Sequence, residues 1–237
     1  MRVCEVFSTL QGEGRYLGVP SYFIRTTGCN LRCAWKNEDG SVTKCDTFYT
    51  SWQPEKGEIL DTKKVLETLK GTNIKHVVIT GGEPTMQTDL AVVVNEFVHN
   101  AYKVTIETNG TFYIPKMNNA FMSISPKLKN SYAQPEDSIE AKMHKSKNIW
   151  EHTTSQWMKT NDYQLKFVYN TMADVEEVLD IQKRLQVPQK KIYMMPQGIT
   201  QEQLKQKEKE LFQICLNNGW NYTPRMHIDI FGNKRGI

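Results

Sequence analysis

A chain of 237 residues is long enough for one sizeable α/β domain, and no Pro/Gly/Ser-rich linker divides it, so a single domain over 1–237 is expected. The formal net charge of +4 is too small to signal nucleic-acid binding, which shows as a concentrated basic patch, and it suits an anionic small-molecule substrate equally well. The start, Met-Arg-Val-Cys-Glu, lacks an apolar stretch of signal-peptide length, and no run approaches the ~20 apolar residues of a membrane span; a cytoplasmic protein with no membrane partner is expected.

Arg2 to Phe7 reads as a short strand that ends at the two-glycine loop Ser8 to Gly14, and Ser21 to Thr26 reads as a second strand that delivers Arg25 beside a cysteine-rich loop. Lys36 to Lys44 carries the turn signal Glu-Asp-Gly and looks like an inserted excursion. Asp61 to Lys70, with Asp61 at the N-cap, Val65, Leu66 and Leu69 at helical spacing and Gly71 as the stop, predicts an amphipathic helix. A buried strand, His76 to Thr80, then runs into Gly81-Gly82-Glu83-Pro84. The next helix spans about Gln87 to Asn100, with Leu90, Val93, Val94, Phe97 and Val98 inward. Strands follow at Lys103 to Glu107, before Thr108-Asn109-Gly110, and at Phe121 to Ile124, before Ser125-Pro126-Lys127.

From Lys129 to Asn161 the pattern weakens, and the segment reads either as a helical cover or as a mobile lid. The rhythm resumes with strand Gln164 to Tyr169, helix Met172 to Leu185, strand Lys191 to Met195, helix Gln201 to Asn217 and a last strand from Trp220 to Ile230. About seven strands with interleaved helices, polar or glycine-rich at each strand's carboxyl end, suggest a partial, open (βα)6-type barrel whose ligands sit at that edge. There is no internal repeat.

Three of the five cysteines, Cys29, Cys33 and Cys45, fall within seventeen residues. An odd cysteine count without an export signal argues for a reducing compartment, where thiolates ligate metal, with Cys4 and Cys215 read as buried small apolar residues. Three thiolates leave a structural zinc site one ligand short, the nearest candidates being Cys4 and His76. A [4Fe–4S] cluster held by three cysteines instead keeps one iron open, as a catalytic cluster requires. Spacing alone leaves the cluster, a zinc knuckle and a chance group of reduced thiols all open.

Taken together, Cys29-x3-Cys33 with a third cysteine, then Gly81-Gly82-Glu83-Pro84, Glu107-Thr108-Asn109-Gly110 and Ser125-Pro126-Lys127, resemble the radical S-adenosylmethionine (SAM) superfamily. Gln11-Gly12-Glu13-Gly14, Arg25 and the tail Phe231-Gly232-Asn233-Lys234-Arg235-Gly236-Ile237 narrow the resemblance to the 7-carboxy-7-deazaguanine synthase (QueE) family of the queuosine pathway. It covers nearly the whole chain apart from 36–44 and 129–161. One departure stands out. The family's usual spacing is Cys-x3-Cys-x2-Cys, and here Lys36 stands where the third cysteine would be, while Cys45 comes nine residues later and restores the family's Cys-Asp-Thr run with Asp46 and Thr47. Some family members carry expanded spacing, so Cys45 is taken as the third ligand, with 36–44 as an insertion that loops out of the cluster loop.

The resemblance implies that Cys29, Cys33 and Cys45 each bind one iron of a [4Fe–4S] cluster, that the open iron chelates SAM, and that reduction yields a 5′-deoxyadenosyl radical. It places Gly81, Gly82, Glu83, Glu107 and Ser125-Pro126-Lys127 at the cofactor, with the glycines letting bare backbone approach SAM. It places Leu10, Gln11, Gly12, Glu13, Arg25, Thr80, His227 and Ile237 at the substrate, with residues 231–237 folding back over it. Gln11 and Glu13 read the edge of a pterin ring, Arg25 pairs with its carboxylate, and Thr47 ligates Mg²⁺ beside that carboxylate. The implied reaction converts 6-carboxy-5,6,7,8-tetrahydropterin to 7-carboxy-7-deazaguanine by radical ring contraction with loss of ammonia, a carbon–nitrogen lyase reaction, fed by a one-electron donor such as a flavodoxin. A homodimer is the family expectation. The competing readings are another small radical SAM enzyme such as a glycyl-radical activase, which has no use for Gln11 to Gly14, and a zinc-stabilised, non-enzymatic binding module.

Overall fold

The computed structural model describes residues 1–37, 39–117, 119–132, 135 and 137–237. Glu38, in the expected 36–44 insertion, and residues 133, 134 and 136, in the expected 129–161 cover, lie outside the described residues. The chain opens with strands β1 (Arg2–Leu10) and β2 (Pro20–Thr26), which pair antiparallel. A small hairpin, β3 (Ala34–Lys36) with β4 (Val42–Lys44), follows, then α1 (Phe48–Ser51) and the two-residue strand β5 (Glu58–Ile59). Helix α2 (Thr62–Lys70) begins where Asp61 accepts a hydrogen bond from the Lys64 amide (3.1 Å) and stops at Gly71, as its sequence signals demand.

The parallel part comes next: β6 (His76–Gly81), α3 (Leu90–His99), β7 (Lys103–Thr108), β8 (Phe121–Ile124), α4 (Ile139–Lys147), α5 (Glu151–Thr160), β9 (Tyr163–Tyr169), α6 (Met172–Leu185), β10 (Ile192–Pro196), α7 (Gln201–Asn218), β11 (Asn221–Tyr222) and α8 (Met226–Phe231). Among the described residues the main sheet has nine strands in the order β11-β10-β9-β8-β7-β6-β2-β1-β5. Every pair from β2 through β11 is parallel, and β1 and β5 close one edge antiparallel. This is the mixed α/β sheet of a partial barrel. Val77, Ile79 and Ile106 of the sheet and Leu90, Val94 and Phe97 of α3 join one buried apolar cluster; in a parallel sheet the strands read as near-continuous apolar runs because helices cover them. The parallel strands all end on one side, so Thr26, Gly81, Thr108 and Pro196 share an edge.

Two segments differ from, or resolve, the sequence reading. The expected strand from Trp220 to Ile230 is strand only at Asn221–Tyr222, with the Thr223 amide still bonded to Met194 O (2.9 Å). Pro224 has no N–H to continue the ladder, and α8 begins two residues later. The alternation Met-His-Ile-Asp-Ile suits a strand, but this short helix fully buries Ile228 alone. Within 129–161 the structure places helices α4 and α5, Trp150 and Trp157 are buried, and Trp157 Nε1 donates to Phe112 O (3.0 Å). No helix among the described residues is long and apolar enough to cross a membrane.

Candidate active site

The cluster loop leaves the end of β2 and is held by bonds local to it. Cys33 is buried, Cys29 and Cys45 are half-buried, and all three line one cavity of about 490 Å³. The 36–44 excursion is the β3–β4 hairpin, with Trp35 opposite Thr43 and Ala34 opposite Lys44. That register returns the chain so that the Cys45 amide donates to Cys33 O (3.2 Å). The hairpin therefore adds length without separating the second and third thiols. Trp52 Nε1 donates to the same carbonyl (3.2 Å), and Trp35 Nε1 to Asn130 Oδ1 (3.1 Å), which ties the loop down on two sides.

The thiols share a wall with Lys127 and carry the mark of burial. Desolvation, with the nearby Glu83 charge, pushes the Cys29 thiol up to about 12, and burial likewise raises Cys33 and Cys45. Each therefore keeps its proton until a metal charge replaces it. The donors once considered for a fourth zinc ligand are engaged elsewhere: His76 sits between Ser21 Oγ (2.8 Å) and Thr105 Oγ1 (2.7 Å), and the half-buried Cys4 donates to Arg25 O (3.4 Å). Among the described residues no three His, Cys, Asp or Glu side chains are set to hold a single metal ion. Three soft donors on one wall, each free to take a separate iron, fit a [4Fe–4S] cluster with one open position.

The Gly-Gly-Glu turn after β6 packs closely against the chain's own backbone. Gly81 has φ +119°, and a Cβ there would overlap the Thr26 backbone; a Cβ on Gly82 would run into the Gly28 carbonyl and lie 2.9 Å from Thr50 O. Both glycines line the cavity, and in the direction a side chain would take they meet this chain's own Thr26, Gly28 and Thr50 backbone. Gly82→Ala is expected to destabilise the fold by about 1–3 kcal/mol through overpacking and to lower bound iron, read from urea midpoints and iron assay; an unchanged midpoint would refute the close-packing account.

Glu83 is not on the cavity wall. It is fully buried and accepts from Thr108 Oγ1 (2.6 Å), the Asn109 amide (2.6 Å) and the Thr85 amide (3.0 Å), a strut between the ends of β6 and β7. Burial raises its carboxyl despite these donors. Pro126 is also buried off the wall, while Ser125 and Lys127 line it, with Lys127 Nζ donating to Ser125 Oγ (3.0 Å).

The same cavity is lined by polar residues of the amino-terminal loop. Gln11 Nε2 and Thr80 Oγ1 both donate to the Glu107 carboxylate (3.0 and 2.7 Å). Arg25 lies over the Phe7 ring, and its Nε donates to Glu5 (2.5 Å). Gly12 packs under the His227 imidazole, where a Cβ would clash, and Leu10 and Ile237 complete that side. Thr47 Oγ1 is 3.3 Å from Cys45 Sγ, which puts its hydroxyl beside that thiol.

Two wall residues escaped the sequence reading. Lys166 and Arg225 flank Glu13: Lys166 Nζ donates to Oε2 and Arg225 Nε to Oε1 (3.0 Å), while Arg225 also reaches Asp46 and Gly198 O (2.5 Å). Burial would raise the Glu13 carboxyl, but these cations outweigh it and hold the group far below the usual carboxylate range. For Lys166 a signal exists. Gln164, Lys166 and Val168 alternate with Leu165 and Phe167, so a charged residue stands on one face of an otherwise apolar strand, and Lys166 and Val168 of that face line the cavity. Arg225 has no such pattern around it.

The comparisons with known proteins agree with this geometry. The model of the radical SAM superfamily matches residues 23–206. The 7-carboxy-7-deazaguanine synthase of Rhodopirellula baltica is 36% identical over 236 residues, 99% of this chain and 88% of that protein. The synthase of Halobacterium salinarum is 31% identical over 240 residues, 97% and 90% of the two chains. In fold the chain is similar to the crystal structure of QueE from Escherichia coli, with TM-score 0.65 and 24% identity over 95% and 94% of the two chains. With three thiols on one wall of the cavity and relatives matched along almost the full length, the chain belongs to the radical SAM superfamily and, within it, to the 7-carboxy-7-deazaguanine synthase family.

Proposed function

We propose that this cavity converts 6-carboxy-5,6,7,8-tetrahydropterin to 7-carboxy-7-deazaguanine. The observation that supports it best is one cavity lined both by three thiols, Cys29, Cys33 and Cys45, and by the polar side chains of Gln11, Glu13, Arg25 and Glu107. Cys29, Cys33 and Cys45 would hold a [4Fe–4S] cluster, which together with SAM would supply radical chemistry. The protein's part is to hold and orient. Arg25 has Nε committed to Glu5, and its terminal amino groups have no hydrogen-bond partner among the described residues, so they are available as a fork for the substrate carboxylate. Glu107, already oriented by Gln11 and Thr80, accepts from the amino-bearing edge of the ring. Gly82, Ser125 and Lys127 are the wall residues nearest in role to SAM. Thr47, rather than Asp46, is the proposed Mg²⁺ ligand, because Asp46 is tied to Arg225. A one-electron donor such as a flavodoxin and a homodimer complete the reading.

The test is anaerobic reconstitution with iron and sulfide, followed by dithionite, SAM, Mg²⁺ and the carboxytetrahydropterin, with products identified by mass spectrometry. The deazaguanine acid is expected. Formation of 5′-deoxyadenosine with none of that acid would overturn the substrate assignment.

A further inference from the structure

Resting on that reading, we propose that Arg235 is a positioning residue: it fastens residues 232–237 along the cavity and, through Glu5, fixes the aim of Arg25. Two of its guanidinium nitrogens meet the Glu55 carboxylate as a fork, Nη1 to Oε1 at 2.7 Å and Nη2 to Oε2 at 2.8 Å. The third, Nε, donates to Glu5 Oε2 (2.9 Å), and the guanidinium lies 4.0 Å from the centre of the Tyr49 ring. All three edges of the cation are used. Ordinary exposed ion pairs contribute little, but a bidentate pair stacked on an aromatic ring has the geometry that does hold a segment in place.

Glu5 is what connects this fastening to the substrate side. Its other oxygen, Oε1, accepts from Arg25 Nε (2.5 Å) and from the Tyr49 hydroxyl (2.8 Å), and its side chain is largely buried, as is that of Arg25. One carboxylate thus sits between two guanidinium groups, one from β2 and one from the tail. Glu55 supplies the second negative charge, so the two cations do not compete for one acid. Without Arg235, Glu5 is released to rotate toward Arg25 and to take the terminal nitrogens that the substrate carboxylate requires. The tail would be loosened as well: Asn233, Lys234, Arg235 and Ile237 all line the cavity, and Arg235 makes their side-chain ties to the body of the protein.

The experiment compares the reconstituted wild type with Arg235→Ala, Arg235→Lys and Glu55→Gln. For Arg235→Ala, KM for the carboxytetrahydropterin is expected to rise about tenfold while kcat stays within about threefold, the split that marks lost ground-state positioning. Arg235→Lys keeps the charge but not the fork and should recover only part of the loss. Amide hydrogen exchange of the peptide covering 226–237 should quicken in Arg235→Ala and Glu55→Gln, with iron content unchanged. Unaltered KM together with unaltered exchange would overturn the proposal. If the wild type itself makes no deazaguanine acid, the functional reading fails, and the exchange measurement then decides the fastening by itself.

Discussion

Cys45→Ala is expected to leave the reconstituted protein without a stable, SAM-binding iron–sulfur cluster and to reduce product formation by well over a hundredfold, beyond the 10–100-fold loss typical of removing an outer-shell partner. The expectation rests on the hairpin. If 36–44 were a loose excursion, the third thiol could sit anywhere within reach of nine residues, and its ligand role would rest on the Cys-Asp-Thr match alone. The β3–β4 ladder removes that freedom, because the pairing of Ala34 with Lys44 leaves Cys45 bonded through its amide to Cys33 O. Among the described residues, Cys215 lies in the main apolar core on α7, and His76 is held by two hydroxyls. Iron and sulfide assays with the visible absorption spectrum provide the readout, and Cys4→Ala serves as the control that should keep its cluster. A Cys45→Ala protein with full iron and SAM binding would show that the third ligand lies elsewhere.

The same loop shows what the sequence could and could not convey. That three thiols act together was legible from their clustering, and the strand–helix order from apolar periodicity and caps such as Asp61 and Gly71, because those signals are local. What escaped depended on contacts between distant segments. The polar run after Lys36 gives no alternation long enough to mark a hairpin. The glycines after β6 signal a close approach, but nothing local shows that they pack against the Thr26 to Gly28 backbone, more than fifty positions earlier. Glu83 was placed at the cofactor by its neighbours in the motif, yet its donors, Thr108 and Asn109, come from the next strand end and turn it inward. Around Met226 to Phe231 the sequence alternates with a period of two, but Pro224 ends the ladder and a short helix follows. Arg225 shows the limit of such reading, since nothing local distinguishes a surface arginine from one enclosed by three loops.

That enclosure makes Arg225 the site of the other large expected effect. Its guanidinium bridges Glu13 of the amino-terminal loop, Asp46 next to the third thiol and the carbonyl of Gly198 after β10, and its side chain is only 7% exposed. Arg225→Met should cost about 1–3 kcal/mol of folding stability, because it leaves the largely enclosed Glu13 with one cation fewer and the partly exposed Asp46 without its partner. Lys166 still faces Glu13, so Asp46 is the group left worst off. The pH dependence carries the sign. Burial favours the protonated forms of Glu13 and Asp46, but the cations beside them prevail and hold both carboxyls below their ordinary values. Their contribution is therefore complete above the unfolded carboxylate value and is lost as pH falls through the depressed folded values. In Arg225→Met the folded values rise, so the loss should begin at a higher pH than in the wild type. Urea midpoints measured at stepped pH from neutral into the acid range test both statements. If Arg225→Met unfolds at the wild-type midpoint at neutral pH, the three loops are held together by something other than this cation, and the coupling it provides between the cluster loop and the substrate wall does not exist.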